Sequence, residues 1–145
     1  MIILDTNIIF ELTRQVPEPG VISWLDSLPA EEASTTAVTA AELLYGVARM
    51  PVGRRKTELA AAVRGLLDDE FRDRVLPFDE HCASRYADIV CGRETLGRPI
   101  GVADAQIAAI CRTAEAALAT RNTDDFSGTG IQLINPWKSD RPGPA

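Results

Sequence analysis

A single histidine, His81, stands against 21 Asp and Glu residues, and that shortage excludes a histidine-rich metal centre. The three cysteines, Cys82, Cys91 and Cys111, form no CxxC pair and no Cys/His cluster with zinc spacing. All three fall in stretches that read as helices, which predicts small apolar core residues in a reducing compartment. Any metal in this chain must therefore be held by oxygen. No apolar run reaches the roughly 18 residues that a membrane helix needs, and the start lacks the basic region and cleavage site of a signal peptide. A cytoplasmic protein is expected. Basic residues are also in deficit, 15 Lys and Arg giving a net charge of -6 and a pI near 4.8. Such a surface repels nucleic acid as a whole, so any binding of RNA or DNA has to be local or to pass through a cation.

What the chain does contain is the composition of an ordinary globular domain. Of its 145 residues 46% are hydrophobic and 25% charged, and one domain of this length buries close to about 70% of the surface its unfolded form exposes. Residues 2–4 read as a buried strand. Residues 21–28 place Val21, Ile22, Leu25 and Leu28 on one helical face after the PEPG punctuation. A short strand around 34–38 leads into a helix from about Thr39 to Met50, which Pro51 and Gly53 end. A second amphipathic helix follows from about Arg55 to Glu70, then a strand at VLPF, 75–78, and a helix over 79–97. After the loop GRPIG, residues 102–114 are apolar on nearly all sides, which predicts a helix packed against protein in most directions. AALAT, 116–120, and IQLI, 131–134, are strands separated by the polar loop RNTDDFSGTG, and the tail KSDRPGPA, 138–145, reads as flexible. Strands alternating with helices, without Asn-Gly or Asp-Gly hairpin turns, predict an α/β sandwich with a mostly parallel sheet.

In an open parallel sheet, ligands bind beyond the carboxyl ends of the strands. Asp5 follows the first strand, Glu42 lies in the first turn of the helix after the second, and Asp124 and Asp125 follow AALAT. Asp104 opens the apolar helix and reaches the same rim if GRPIG carries it there. Each residue also has a local structural explanation. Asp5 caps whatever follows the strand, Thr39-x-x-Glu42 has the form of a capping box, and Asp104 suits a helix N-terminus. Asp124 and Asp125 are ordinary turn residues. Independent caps have no reason to converge, however, and converging carboxylates raise one another's pKa unless a cation joins them. Mg²⁺, with Mn²⁺ as a substitute, is the hard oxygen-loving ion such a set would hold.

Five stretches, taken in order, resemble the PIN domain, and within it the VapC and FitB toxins of bacterial type II toxin–antitoxin pairs. They are ILDTNIIFEL, TTAVTAAELLYGV, LPFDEHCASRYADI, IGVADAQIAAI and ATRNTDDFSGTGIQLINPW. The resemblance covers residues 1–137 as one PIN domain, with 138–145 as a tail, and implies a PIN-like α/β/α sandwich. It implies a metal site from Asp5, Asp104 and Glu42 with a fourth group from TRNTDDF, where relatives carry the acid at the place of Asn122 or of Asp125. Asp125 is the acidic candidate here. Asn122, Thr120 and Thr6 are candidates for supporting roles, and Arg121 for phosphate contact.

The activity implied is Mg²⁺-dependent endoribonuclease cleavage of RNA, with Asp5, Glu42, Asp104 and Asp125 as the catalytic set. The partners implied are a small antitoxin lying across the active face and a second copy of the chain. Arg49, Arg54, Arg55 and Lys56 form the densest basic segment, and Arg93 and Arg98 are expected to add positive charge near the crevice. Two rival readings use the same residues. A haloacid-dehalogenase-like phosphatase wants Asp at position 7, where this chain has Asn. A non-catalytic PIN-like module would use the same acidic pocket only to hold a protein or nucleic-acid partner.

Overall fold

The computed structural model describes residues 1–138; of the expected flexible tail, all but Lys138 lies outside the described residues. Five short parallel strands form the central sheet, β1 (Ile2–Leu4), β2 (Ala33–Thr36), β3 (Val75–Leu76), β4 (Ala117–Ala119) and β5 (Leu133–Ile134), in the order β3-β2-β1-β4-β5. Register is fixed by β1 at the centre. Ile2 lies opposite Ala33 on one side and Ala117 on the other, and Leu4 opposite Ala119.

Strand residues alternate between two hydrophobic cores, as a sheet covered on both faces requires. Ile3 and Leu118 pack with Ile89, Ile107, Ile110 and Phe126 on one side, under helices α5 (Glu80–Thr95) and α6 (Val102–Ala114). Leu4 and Ala119 pack on the other side with Ile8, Ile9, Leu43, Val47, Val63 and Phe71. Those residues come from α1 (Thr6–Leu12), α3 (Ala37–Ala48) and α4 (Arg54–Gly65) and from the segment after it. Helix α2 (Pro19–Asp26), opened by Pro at its first position, contributes the fully buried Val21. The expected packing of α6 on most sides is observed, with Ala105 and Ile107 to Cys111 all buried while Val102 and Thr113 at its ends are exposed.

Several expectations need correction. Helix α1 was not read from the sequence, because seven residues give too few turns for a periodic signal. Helix α3 starts at Ala37 rather than Thr39, since Thr36 is its N-cap and accepts from the Thr39 N–H at 3.0 Å. The helix expected to run to Glu70 is regular only to Gly65 and continues as a wider π-type turn over Leu66–Glu70. Cys82 and Cys111 are core residues, but Cys91 is exposed on α5. Among the described residues, no helix is long and apolar enough to cross a membrane.

The topology itself sets the place of the site. The chain builds outward from β1 to β2 and β3 on one side, then returns to lay β4 and β5 on the other. Connections diverge at the carboxyl end of β1, leaving a crevice there between α1, α3 and the segment after β4.

Candidate active site

Asp5 occupies that switch point and is 5% exposed. Its backbone N–H donates to the Ala119 carbonyl at 3.0 Å, tying it to the end of β4. Its carboxylate accepts from the Thr6 N–H through Oδ1 at 2.8 Å and from the Thr120 hydroxyl through Oδ2 at 2.7 Å. Thr120 Oγ1 in turn accepts from the Asn122 N–H at 3.1 Å and from Asn7 Nδ2 at 3.4 Å. Asp5 thus caps α1, as its local explanation allows, and is held at both oxygens with lone pairs to spare.

Glu42 does not close a capping box. It sits in the second turn of α3, and its Oε1 accepts from the Thr6 hydroxyl at 2.6 Å, across the crevice from its own helix. The reason is the earlier helix start: with Thr36 as the cap, the capping-box position is Thr39, and Glu42 is free to face α1. Asp104 lies in the first turn of α6. Asp5, Glu42, Asp104, Thr6, Asn7, Arg121 and Asn122 line one pocket of about 390 Å³, together with Phe10, Glu11 and Trp137. A hollow of similar size, about 380 Å³, opens on the far side of Phe10 toward α4, and Glu58 is its only carboxylate.

Asp125 is placed differently from expectation. It is exposed and stands outside the pocket wall, whereas Asn122 forms part of that wall. Its charge still reaches the pocket. Burial raises the pKa of Asp5 against the pull of the Thr120 hydroxyl and the Thr6 amide, and the charges of Glu42 and Asp125 raise it further. Burial also pushes Asp104 up to about 6, with Asp5, Asp125 and Glu42 adding to the rise and Arg93 opposing it. Two groups raised by the same set of charges identify four carboxylates in one electrostatic neighbourhood.

The donors facing the pocket are oxygens. Cys111, the thiol that feels the Asp5 charge, is driven well above the usual thiol range by burial first and by Asp5 second, so it offers no thiolate. Among the described residues, no three His, Cys, Asp or Glu side chains are arranged to enclose a metal ion by themselves. What the pocket offers is carboxylate oxygen, the donor chemistry that suits a hard ion taking one or two carboxylates and keeping waters in its other positions.

Arg93 and Glu11 were not expected in these roles. Arg93 does place positive charge near the crevice, where it opposes the rise of the Asp104 pKa, but it is 4% exposed and spends its donors inside the protein. Its Nε donates to the Arg98 carbonyl at 2.6 Å, and Nη1 donates to the carbonyls of Asp125 and Ser127 at 2.8 and 3.2 Å. Arg98 adds bonds to Ser127 Oγ and the Asp124 carbonyl at 2.8 and 3.2 Å. The two arginines clamp the turn that carries Asp125 onto the loop that leads to Asp104. Glu11 is a buried carboxylate that lines the pocket, but it is satisfied by the Glu18 N–H at 2.7 Å and by Arg14 at 3.1 Å. Its neighbour Phe10 and the distant Trp137 also escaped the reading. Trp137 had a usable signal, since it follows β5 as Thr120 follows β4, at the same end of the sheet.

The Thr120 hydroxyl is the joint between β4 and Asp5. Thr120→Val is expected to lower stability by about 1–2 kcal/mol, because one change removes the donor to a buried carboxylate and the acceptor of the Asn122 amide. Urea unfolding checks this; a midpoint equal to wild type would mean that water replaces the hydroxyl without loss.

Comparison with known proteins agrees with the geometry. The PIN domain profile matches residues 2–131. The chain is 40% identical over 138 residues to VapC ribonuclease Y4jK of Sinorhizobium fredii, covering 95% of this chain and 99% of that one. It is 40% identical over 137 residues to toxin FitB of Neisseria gonorrhoeae, covering 94% and 99%. Among solved structures, that of FitAB bound to an IR36 DNA fragment superimposes with a TM-score of 0.90 at 38% identity, over 97% of this chain and 99% of that one. A likeness that runs end to end, in sequence and in the arrangement of the sheet, leaves one assignment: the chain belongs to the PIN-domain family, among the VapC and FitB toxins.

Proposed function

We propose that this protein is a divalent-metal-dependent endoribonuclease, the toxin of a toxin–antitoxin pair that acts in the cytoplasm and is silenced by a cognate antitoxin. The observation that carries the reading is the convergence of Asp5, Glu42 and Asp104 in one pocket, with the Asp125 charge felt by both aspartates. The relatives named above supply the ribonuclease and toxin assignments, and FitAB supplies the precedent for a partner.

Asp5 and Asp104 are the ligands proposed for Mg²⁺, with Glu42 and Asp125 completing the shell directly or through water. When bound, the ion supplies a Lewis acid at the scissile phosphate and an acidified water. The chain's own residues prepare that event. Thr6 holds Asp5 through its N–H and Glu42 through its hydroxyl, so one residue sets the spacing of two acids. Thr120 fixes the second oxygen of Asp5, and Asn7 binds the Arg121 N–H at 3.1 Å, which sets the wall opposite the acids. Asn122 presents a neutral amide to the pocket, suited to orienting water or a phosphate oxygen.

Purified protein incubated with its host's RNA is expected to cleave it in Mg²⁺ or Mn²⁺ and to stop when EDTA is added. Cleavage that survives both EDTA and Asp5→Asn would sink the metal mechanism. Metal binding without cleavage would turn the reading toward a non-catalytic module. Co-expression with a cognate antitoxin is expected to give a stable complex that no longer cuts RNA, and size measurement of the free toxin is expected to give a dimer.

A further inference from the structure

The wall of the pocket facing the acids holds a cation that none of them claims. Arg121 is exposed, and it makes no ion pair among the described residues although four carboxylates lie in its neighbourhood. Its guanidinium carbon instead lies 4.9 Å from the centre of the Trp137 ring. The pair is pinned by backbone bonds on both members. The Arg121 N–H donates to Asn7 Oδ1 at 3.1 Å, and a single carboxamide, that of Asn135, donates to the Arg121 carbonyl at 3.5 Å and accepts from the Trp137 N–H at 3.0 Å. Trp137 is half-buried against the core that contains Leu4, which supports it from beneath. Phe10, 44% exposed and one helical turn after Asn7, completes an aromatic rim around the acids.

We propose that Arg121 held over Trp137 is a stacking platform for one unpaired nucleobase of the RNA substrate, next to the phosphate that is cut. The inference rests on the ribonuclease reading and names its substrate class as single-stranded RNA. Three physical reasons favour a base over a second phosphate as the main ligand. The chain carries a net charge of -6 and the pocket is acidic, so charge attraction alone gives little affinity here. A guanidinium already over an indole presents a flat, weakly hydrated cation, a surface suited to stacking on a planar base. Stacking is indifferent to sequence and contributes about 5- to 150-fold in affinity per base. A duplex cannot supply such a base without first unstacking it.

Binding can be read from Trp137 itself. The chain has two tryptophans, and Trp24→Phe leaves Trp137 as the single tryptophan, whose emission is read apart from that of the two tyrosines by selective excitation. On this background with Asp104→Asn to stop cleavage, a single-stranded RNA octamer of mixed sequence is expected to quench the emission in Mg²⁺. A blunt RNA duplex and an abasic octamer are expected to bind at least about tenfold more weakly. Arg121→Lys keeps the charge and removes the plane, so it is expected to lose about tenfold in affinity with an unchanged salt slope. Arg121→Ala is expected to lower that slope as well. Equal binding of duplex and single strand, or Arg121→Lys binding as wild type does, would overturn the platform. An effect of these variants confined to the antitoxin complex would overturn it too. Should wild type cleave no RNA under any condition, the ribonuclease reading falls, while quenching by the octamer but not by the duplex would still establish the platform.

Discussion

Asp104→Asn is expected to lower the rate of RNA cleavage at neutral pH by about 10³-fold or more and, in the same molecule, to make the metal-free fold more stable. The first effect follows from removing a proposed metal ligand, since a metal's stabilisation of transition-state charge is worth several kcal/mol and each 1.36 kcal/mol is about tenfold in rate. The second follows from the pKa of about 6 that burial and the Asp5, Asp125 and Glu42 charges impose on Asp104. A carboxyl whose folded pKa lies above its unfolded value binds more protons in the folded state. Its contribution to stability is therefore best at low pH and is lost as pH rises from about 4 through about 6. At pH 7.5 the wild type carries the full penalty, and Asn carries none. Because Asp104 is only partly buried, solvent screening reduces the difference to about 1–2 kcal/mol.

Thermal unfolding in EDTA at pH 4 and pH 7.5 checks this half: the variant should melt with wild type at the lower pH and above it at the higher. Mn²⁺ should raise the melting temperature of wild type and leave the variant unmoved. A variant that is less stable than wild type at pH 7.5 would show that Asp104 holds the fold rather than the ion.

Arg93→Met is expected to cost about 3–5 kcal/mol of stability, the largest loss predicted for any single change here. A methionine fills much of the volume, so the loss is one of hydrogen bonding rather than of packing. Three carbonyls, those of Arg98, Asp125 and Ser127, lose their donor in a site where Arg93 is 4% exposed. Part-buried acceptors left without a partner cost up to about 1–3 kcal/mol each, and relaxation and water at the exposed side bring the sum into the stated range. The same substitution removes the cation that opposes the rise of Asp104. Arg93→Lys should recover part of the stability, since one ammonium cannot reproduce the planar fork that reaches three carbonyls in two segments. Urea denaturation gives the free energies. Amide hydrogen exchange over residues 123–127 gives the local consequence, expected to be faster in both variants. Unfolding at the wild-type midpoint by Arg93→Met would mean that the clamp is dispensable.

The amino-acid order by itself determined a good deal. Ile2 to Leu4 followed by Asp5 announced a buried strand with a charge at its end, and the alternation of such strands with helical periods implied the parallel sheet. With the carboxyl-end rule, this put Asp5 and Glu42 on one rim, with Asp104 joining them if the GRPIG loop carried it there, and the fold brings the three together. Those inferences succeed because strand pairing and helix burial are written in residue periodicity, which is local.

Tertiary structure decided the rest, where the deciding partner lies far along the chain. Thr39-x-x-Glu42 reads as a capping box until Thr36 takes the cap and Thr6, 36 residues from Glu42, takes the carboxylate. Arg93 reads as a surface cation until carbonyls more than thirty positions later surround it. Asp125 reads as the acidic member of the site and Asn122 as its neutral neighbour, until the turn over residues 123–126 sets Asn122 in the pocket wall and leaves Asp125 outside it. A side chain's role is fixed by which groups satisfy its charge and hydrogen bonds, and in the interior those groups are brought by the fold rather than by sequence neighbours.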